Sequence, residues 1–74
     1  MKEHDVVVLT QSIRAHGLEA GDVGTIVYIA PDESAYLVEF MTLTGDTIAV
    51  LNLTPSQVRA VREGELATVR APAG

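Results

Sequence analysis

Leu18-Glu19-Ala20-Gly21-Asp22-Val23-Gly24-Thr25-Ile26-Val27-Tyr28-Ile29 sets two glycines and an aspartate directly before a run of β-branched and aromatic residues. Glycine and aspartate break regular structure, whereas β-branched and aromatic side chains suit a half-buried pleated surface. A strand launched from so tight a corner predicts a small curled β-sheet. Gly24 is the residue on which that corner depends. Either a positive φ or a close approach of backbone to a neighbour is expected to leave no room for a side chain there.

Three further apolar runs flank this strand. Asp5-Val6-Val7-Val8-Leu9 precedes it across a long polar connection, Thr10 to Asp22. Pro31-Asp32-Glu33-Ser34 is a turn signal, because proline presets φ and the short polar side chains bond local amides. The run Ala35 to Met41 then alternates, with Tyr36, Val38 and Phe40 on one face, read as core. Thr42-Leu43-Thr44-Gly45-Asp46 closes a hairpin in which Gly45 supplies a positive φ. A fourth run, Thr47 to Leu51, carries Ile48 and Val50 at period two.

Thr54-Pro55-Ser56-Gln57 combines an N-cap, a proline at the first helical position and a capping-box glutamine. After it the chain can continue as a fifth strand, Val58 to Arg62, or as a helix reaching Glu63. The strand is expected, since a helix would leave the meander with an unpaired edge. The whole describes an all-β fold, a small five-stranded SH3-like barrel with one short 3₁₀ turn before the last strand. Residues 1–62 form the barrel domain. Residues 63–74 are expected to be a C-terminal tail, partly disordered or an extra edge strand, with Ala71 to Gly74 a frayed end.

Size and composition bound what such a barrel can do. With 74 residues, 47% hydrophobic but only 4% aromatic, the core has to be built from aliphatic side chains, and a shared interface or homo-oligomer would supplement it. The absence of cysteine excludes disulfides and thiolate metal sites. The charged start and the short apolar run Val6 to Leu9 fit neither a signal peptide nor a membrane span, so a cytoplasmic location is expected. Ten acidic residues against five basic ones give a net charge of −5, which disfavours nucleic acid and suits a partner protein with a basic surface.

The segments Asp5-Val6-Val7-Val8-Leu9, His16-Gly17-Leu18, Ala20-Gly21-Asp22-Val23-Gly24-Thr25-Ile26-Val27 and Leu53-Thr54-Pro55-Ser56-Gln57-Val58-Arg59 resemble a family of short bacterial proteins, domain of unknown function 4926. That resemblance implies an SH3-like barrel and no established activity. It stops near Arg62, so the tail inherits nothing from it. The segment from Gly21 to Ile29 alone is similar to the strand-turn-strand element of KOW-type domains, which would imply nucleic-acid binding.

Candidate sites are few. His4 with Asp5 and His16 with Asp22 could serve a metal or a general base, but nothing in the sequence brings the two pairs together. The loop hydroxyls Thr10, Ser12 and Ser34 lack any nucleophile setting. Gly21-Asp22-Val23-Gly24 opens a strand and carries no lysine, unlike a phosphate loop. Tyr28 lies between Val27 and Ile29 and is expected to point outward, away from any basic residue that would make it a base-stacking platform. Arg14, Arg59 and Arg62 could gather into a small basic patch or simply balance Glu63 and Glu65. These readings predict no catalytic residue, no cofactor and no metal. They leave a non-enzymatic binding module that meets another protein through its long loop and an exposed strand edge, with Glu19, Asp22, Asp32 and Glu33 as the partner-binding residues. Two alternatives stand beside it: an antitoxin or immunity-type partner of a basic toxin, and KOW-like nucleic-acid binding.

Overall fold

A computed structural model describes residues 1–71; the fraying expected at Pro72, Ala73 and Gly74 lies outside the described residues. Strands β1 (Val6–Leu9), β2 (Val23–Ile29), β3 (Tyr36–Met41), β4 (Thr47–Leu53) and β5 (Val58–Ala60) form one sheet in the order β4-β3-β2-β1-β5. All four pairings are antiparallel. One core cluster collects Val7 and Leu9 from β1, Ile26 from β2, Tyr36, Val38 and Phe40 from β3, Leu53 from β4 and Val58 from β5. A flat five-stranded sheet would hold its outer strands about 19 Å apart at ~4.8 Å per step. Side chains from both outer strands can share one cluster only because the sheet curls on itself. This is the SH3-like barrel that the sequence predicts.

Two irregularities sharpen the curl. Val27 is skipped in the β2–β3 register, where Ile26 pairs Val38 and Tyr28 pairs Leu37. Ile48 is skipped between β3 and β4, where Phe40 pairs Ala49 and Met41 pairs Thr47. An extra residue on one strand bends it and increases its right-handed twist. Tyr28 is turned to solvent at 51% exposure, as expected, while Tyr36, Val38 and Phe40 are buried together.

The turns follow their local chemistry. Gly45 takes φ 95°, and the hairpin closes through Thr42 N–H to Asp46 C=O at 2.8 Å and Asp46 N–H to Thr42 Oγ1 at 3.0 Å. Before β5, Pro55–Gln57 makes the expected 3₁₀ turn, with Thr54 N–H donating to Gln57 Oε1 at 2.8 Å. Thr10 fastens this turn to the end of β1, its N–H reaching Gln57 C=O at 2.9 Å and its hydroxyl Ser56 C=O at 2.7 Å. The fifth strand stops at Ala60, short of Arg62. It pairs Val58 with Leu9, Arg59 with Val8 and Ala60 with Val7, and beyond Ala60 the chain leaves the ladder for the turn at Gly64.

The long connection is more ordered than its polar sequence suggests. It holds a further 3₁₀ turn, Arg14–His16, that ends where Gly17 adopts φ 68°. An isolated bridge pairs Ile13 with Leu18, and Leu18 sinks into the core. Leu18, with the partly buried Ile13 packed against the same core, anchors an otherwise polar loop to the barrel.

Candidate partner-binding site

The corner before β2 is built from backbone outward. Leu9 N–H donates to Asp22 C=O at 2.8 Å and Gly21 N–H to Leu9 C=O at 2.8 Å, welding the corner to the end of β1. Ser12 Oγ accepts from Ala20 N–H at 3.2 Å, and Asp22 Oδ2 accepts from Glu19 N–H at 2.8 Å. The Asp22 carboxylate is therefore fixed by the loop itself. Gly24 then lets β2 pass close over β3, because a Cβ there would lie 2.6 Å from Val38 Cγ1 and 2.8 Å from Phe40 Cε1.

The tail returns to this corner. Arg70 Nε donates to Asp22 Oδ1 at 3.0 Å while its Nη2 bonds Asp22 Oδ2 and, at 3.1 Å, the carbonyl of Gly17. Its Nη1 lies 3.0 Å from Glu19 Oε2. The Asp22 and Arg70 side chains are only 20% and 25% exposed, so this pair is screened less than a surface ion pair. Partial burial pushes the Asp22 carboxyl up, but the guanidinium of Arg70 and the Glu19 N–H outweigh it and hold the group below its ordinary value. A second attachment lies upstream, where Arg59 forks onto Glu65 and Gly64 turns the chain with φ 87°. Arg59 and then the Arg62 N–H pull the Glu65 carboxyl down to about 2.

Both carboxyls titrate lower in the fold than in an unfolded chain, so they hold the tail at neutral pH and lose that contribution as the pH falls. The Glu65 attachment is expected to loosen progressively below pH 4.5, its ordinary value, and to be lost near pH 2, while the Asp22 attachment weakens in the same direction. Backbone amide chemical shifts of Leu66 to Ala71, followed from pH 6 to 2 against those of the barrel strands, check this. Tail resonances that keep their neutral-pH positions down to pH 2 would refute it.

Beside the corner lies an open groove of about 420 Å³ between the tail residues 67–71 and the β3–β4 hairpin. Leu18, Val23, Phe40, Met41, Leu43 and Ile48 give it an apolar lining. Leu43, at the hairpin tip, is 89% exposed and forms part of the groove's rim.

The four acidic residues singled out in the sequence fall into two groups. Glu19 and Asp22 stand together at the start of β2. Asp32 and Glu33 lie past its other end, and seven strand residues at ~3.3 Å each separate the pairs by about 20 Å. Asp32 is occupied locally, its Oδ1 accepting the Ser34 hydroxyl at 2.6 Å and the Ser34 N–H at 3.1 Å. Glu33 sits at the tip of that turn with φ 60°. His4 lies in the N-terminal turn, its N–H on Ile26 C=O, and His16 ends the first 3₁₀ turn; both are exposed. No group of three or more His, Asp or Glu side chains among the described residues is arranged to hold a metal ion.

Sequence reasoning missed Arg70. The only signal was a lone cation in an otherwise uncharged stretch, Ala67-Thr68-Val69-Arg70-Ala71, far along the chain from the acids it meets.

Residues 3–60 match the family described as Domain of unknown function (DUF4926). The chain belongs to the DUF4926 family. The match takes in all five strands and both members of the acidic corner, and it ends before the tail that carries Arg70. No curated protein and no solved structure matches this DUF4926 chain. None of the helices among its described residues is long and apolar enough to cross a membrane.

Proposed function

We propose that this DUF4926 domain is a non-enzymatic module of the cytoplasm that binds another protein through its long first loop and the adjoining edge hairpin β3–β4. The observation that carries the reading is an acidic corner, the partly buried Asp22 with the exposed Glu19, beside an apolar groove rimmed by the exposed Leu43. An apolar groove with a few fixed polar groups at one end supplies both burial and orientation to a bound segment. The charge at that end selects a basic segment and speeds its approach. The same negative charge repels a phosphate backbone, and the overall balance of −5 adds to that repulsion.

The test compares the wild-type domain with Glu19→Gln/Asp22→Asn as bait in the native cell, followed by rate measurements on the protein recovered. The double variant is expected to associate roughly tenfold more slowly at low salt, with the difference shrinking as salt screens the charges. A companion variant, His4→Ala/His16→Ala, is expected to leave binding and melting temperature unchanged. Silent acidic substitutions together with a loss of binding in the histidine variant would overturn the reading.

A further inference from the structure

Four of the five N–H bonds of Arg70 meet acceptors, two on Asp22, one on the Gly17 carbonyl and one, at 3.4 Å, on the Ala71 carbonyl, and Glu19 Oε2 lies 3.0 Å from Nη1 as an ion-pair partner. The two-pronged grip of Nε and Nη2 on the Asp22 carboxylate is specific to arginine, since a lysine ammonium is a point charge without that planar fork. The acceptors are held by the loop. Gly17 is turned by its φ of 68°, and Asp22 accepts the Glu19 N–H in a bond made within the loop, without the tail. They also lie inside the residues that match the family, whereas Arg70 lies outside them.

The tail, by contrast, holds on by little else. Among the described residues no backbone–backbone hydrogen bond ties Leu66 to Ala71 to the barrel, and Leu66 and Val69 are 93% and 81% exposed. The side of the groove opposite the hairpin is lined by this same segment.

We propose that Gly17, Glu19 and Asp22 form a guanidinium receptor for an arginine carried on an extended segment of a partner protein, and that Arg70 fills it in cis as a built-in competitor. The identity of the displacing partner rests on the protein-binding reading above; the receptor and its competitor do not. A short tether gives the tail a local concentration on the order of millimolar, so a free segment has to outbid it. The partner therefore meets a site whose apparent affinity is lowered by the fraction of time that the tail occupies it.

The test uses the full chain and a synthetic peptide of residues 64–71 as the probe. In Arg70→Ala, the amide resonances of Ala67 to Ala71 are expected to collapse toward random-coil positions while those of the strands stay put. Peptide added to this variant is expected to shift the amides of Gly17 to Asp22 and of Thr42 to Ile48. Wild-type protein is expected to bind the peptide at least about tenfold more weakly, because its own tail competes at millimolar effective concentration. A peptide with alanine in place of the arginine is expected to give no shifts.

No response of Arg70→Ala at millimolar peptide, equal binding by wild type and variant, or equal binding by the arginine-free peptide would each overturn the receptor. Peptide binding as expected, alongside a native partner indifferent to Glu19→Gln/Asp22→Asn, would leave the receptor standing and remove the protein-binding reading instead.

Discussion

Gly24→Val is expected to destabilise the domain by about 3 kcal/mol or more, in line with the upper range for overpacked cores. The reason is space alone. A Cβ at Gly24 would stand 2.6 Å from Val38 Cγ1, 2.8 Å from Phe40 Cε1 and 3.1 Å from the Glu39 carbonyl. Val38 and Phe40 are themselves fully packed, and the Glu39 carbonyl belongs to the strand backbone, so no neighbour can give way cheaply. Valine adds two methyl groups to that already impossible contact. A domain of this length has a total stability on the order of 5 kcal/mol, so most of the margin disappears. A thermal melt followed by circular dichroism should show the midpoint falling by about 15 °C, at roughly 4–8 °C per kcal/mol. An unchanged midpoint would mean that β2 and β3 do not approach as closely as described. Gly24→Ala should fall between the two, and Phe40→Leu should relieve part of its cost by withdrawing the ring edge.

Phe40→Ala is expected to cost about 3–5 kcal/mol, the usual range for emptying a buried aromatic site. Phe40 is one of the largest fully buried side chains in the barrel, and it also floors the groove beside the tail. Its loss therefore opens the core toward solvent on one side. Water can enter such a gap more easily than a sealed cavity, which places the expected value nearer the lower end of that range. Urea denaturation checks it, with the midpoint lowered and the slope unchanged if the native barrel stays intact. A cost below about 1 kcal/mol would show that the neighbouring Leu18, Ile48 and Met41 collapse into the vacated space.

Much of the barrel could be read from short-range signals. Alternation at Tyr36, Val38 and Phe40 marks their buried face, Gly45 marks the hairpin, and Thr54-Pro55-Ser56-Gln57 marks the 3₁₀ turn, because each depends on neighbours a few residues away. Gly24 was legible as a residue that no side chain could replace, but whether positive φ or crowding was the reason was not. The outcome is crowding, and crowding depends on the side chains of β3, the neighbouring strand, which no local signal around Gly24 reveals. The bulges at Val27 and Ile48 were invisible for the same reason: a skipped residue is defined by its partner strand. Within the site, Glu19 and Asp22 were picked out as acidic loop residues, yet their grouping apart from Asp32 and Glu33 follows from the length of β2. Arg70 could not be placed at all. Its pairing with Asp22 spans 48 positions, and no periodicity in the tail points back to the first loop.

The course of the tail also decides where anything joined to this chain would end up. After β5 the backbone is pinned at Glu65 by Arg59 and again at Arg70 by Asp22, so Ala71 borders the groove. The opposite end enters at Val6, which faces Thr25, while Val8 faces Val23 next to the corner, so the first residues are led away from the acidic pair along β1. A purification handle or reporter fused downstream of Ala71 would thus be delivered to the mouth of the groove, where it would crowd out incoming molecules. One fused ahead of Met1 would leave that mouth clear. Immobilisation and labelling for every binding measurement on this domain belong at the amino terminus.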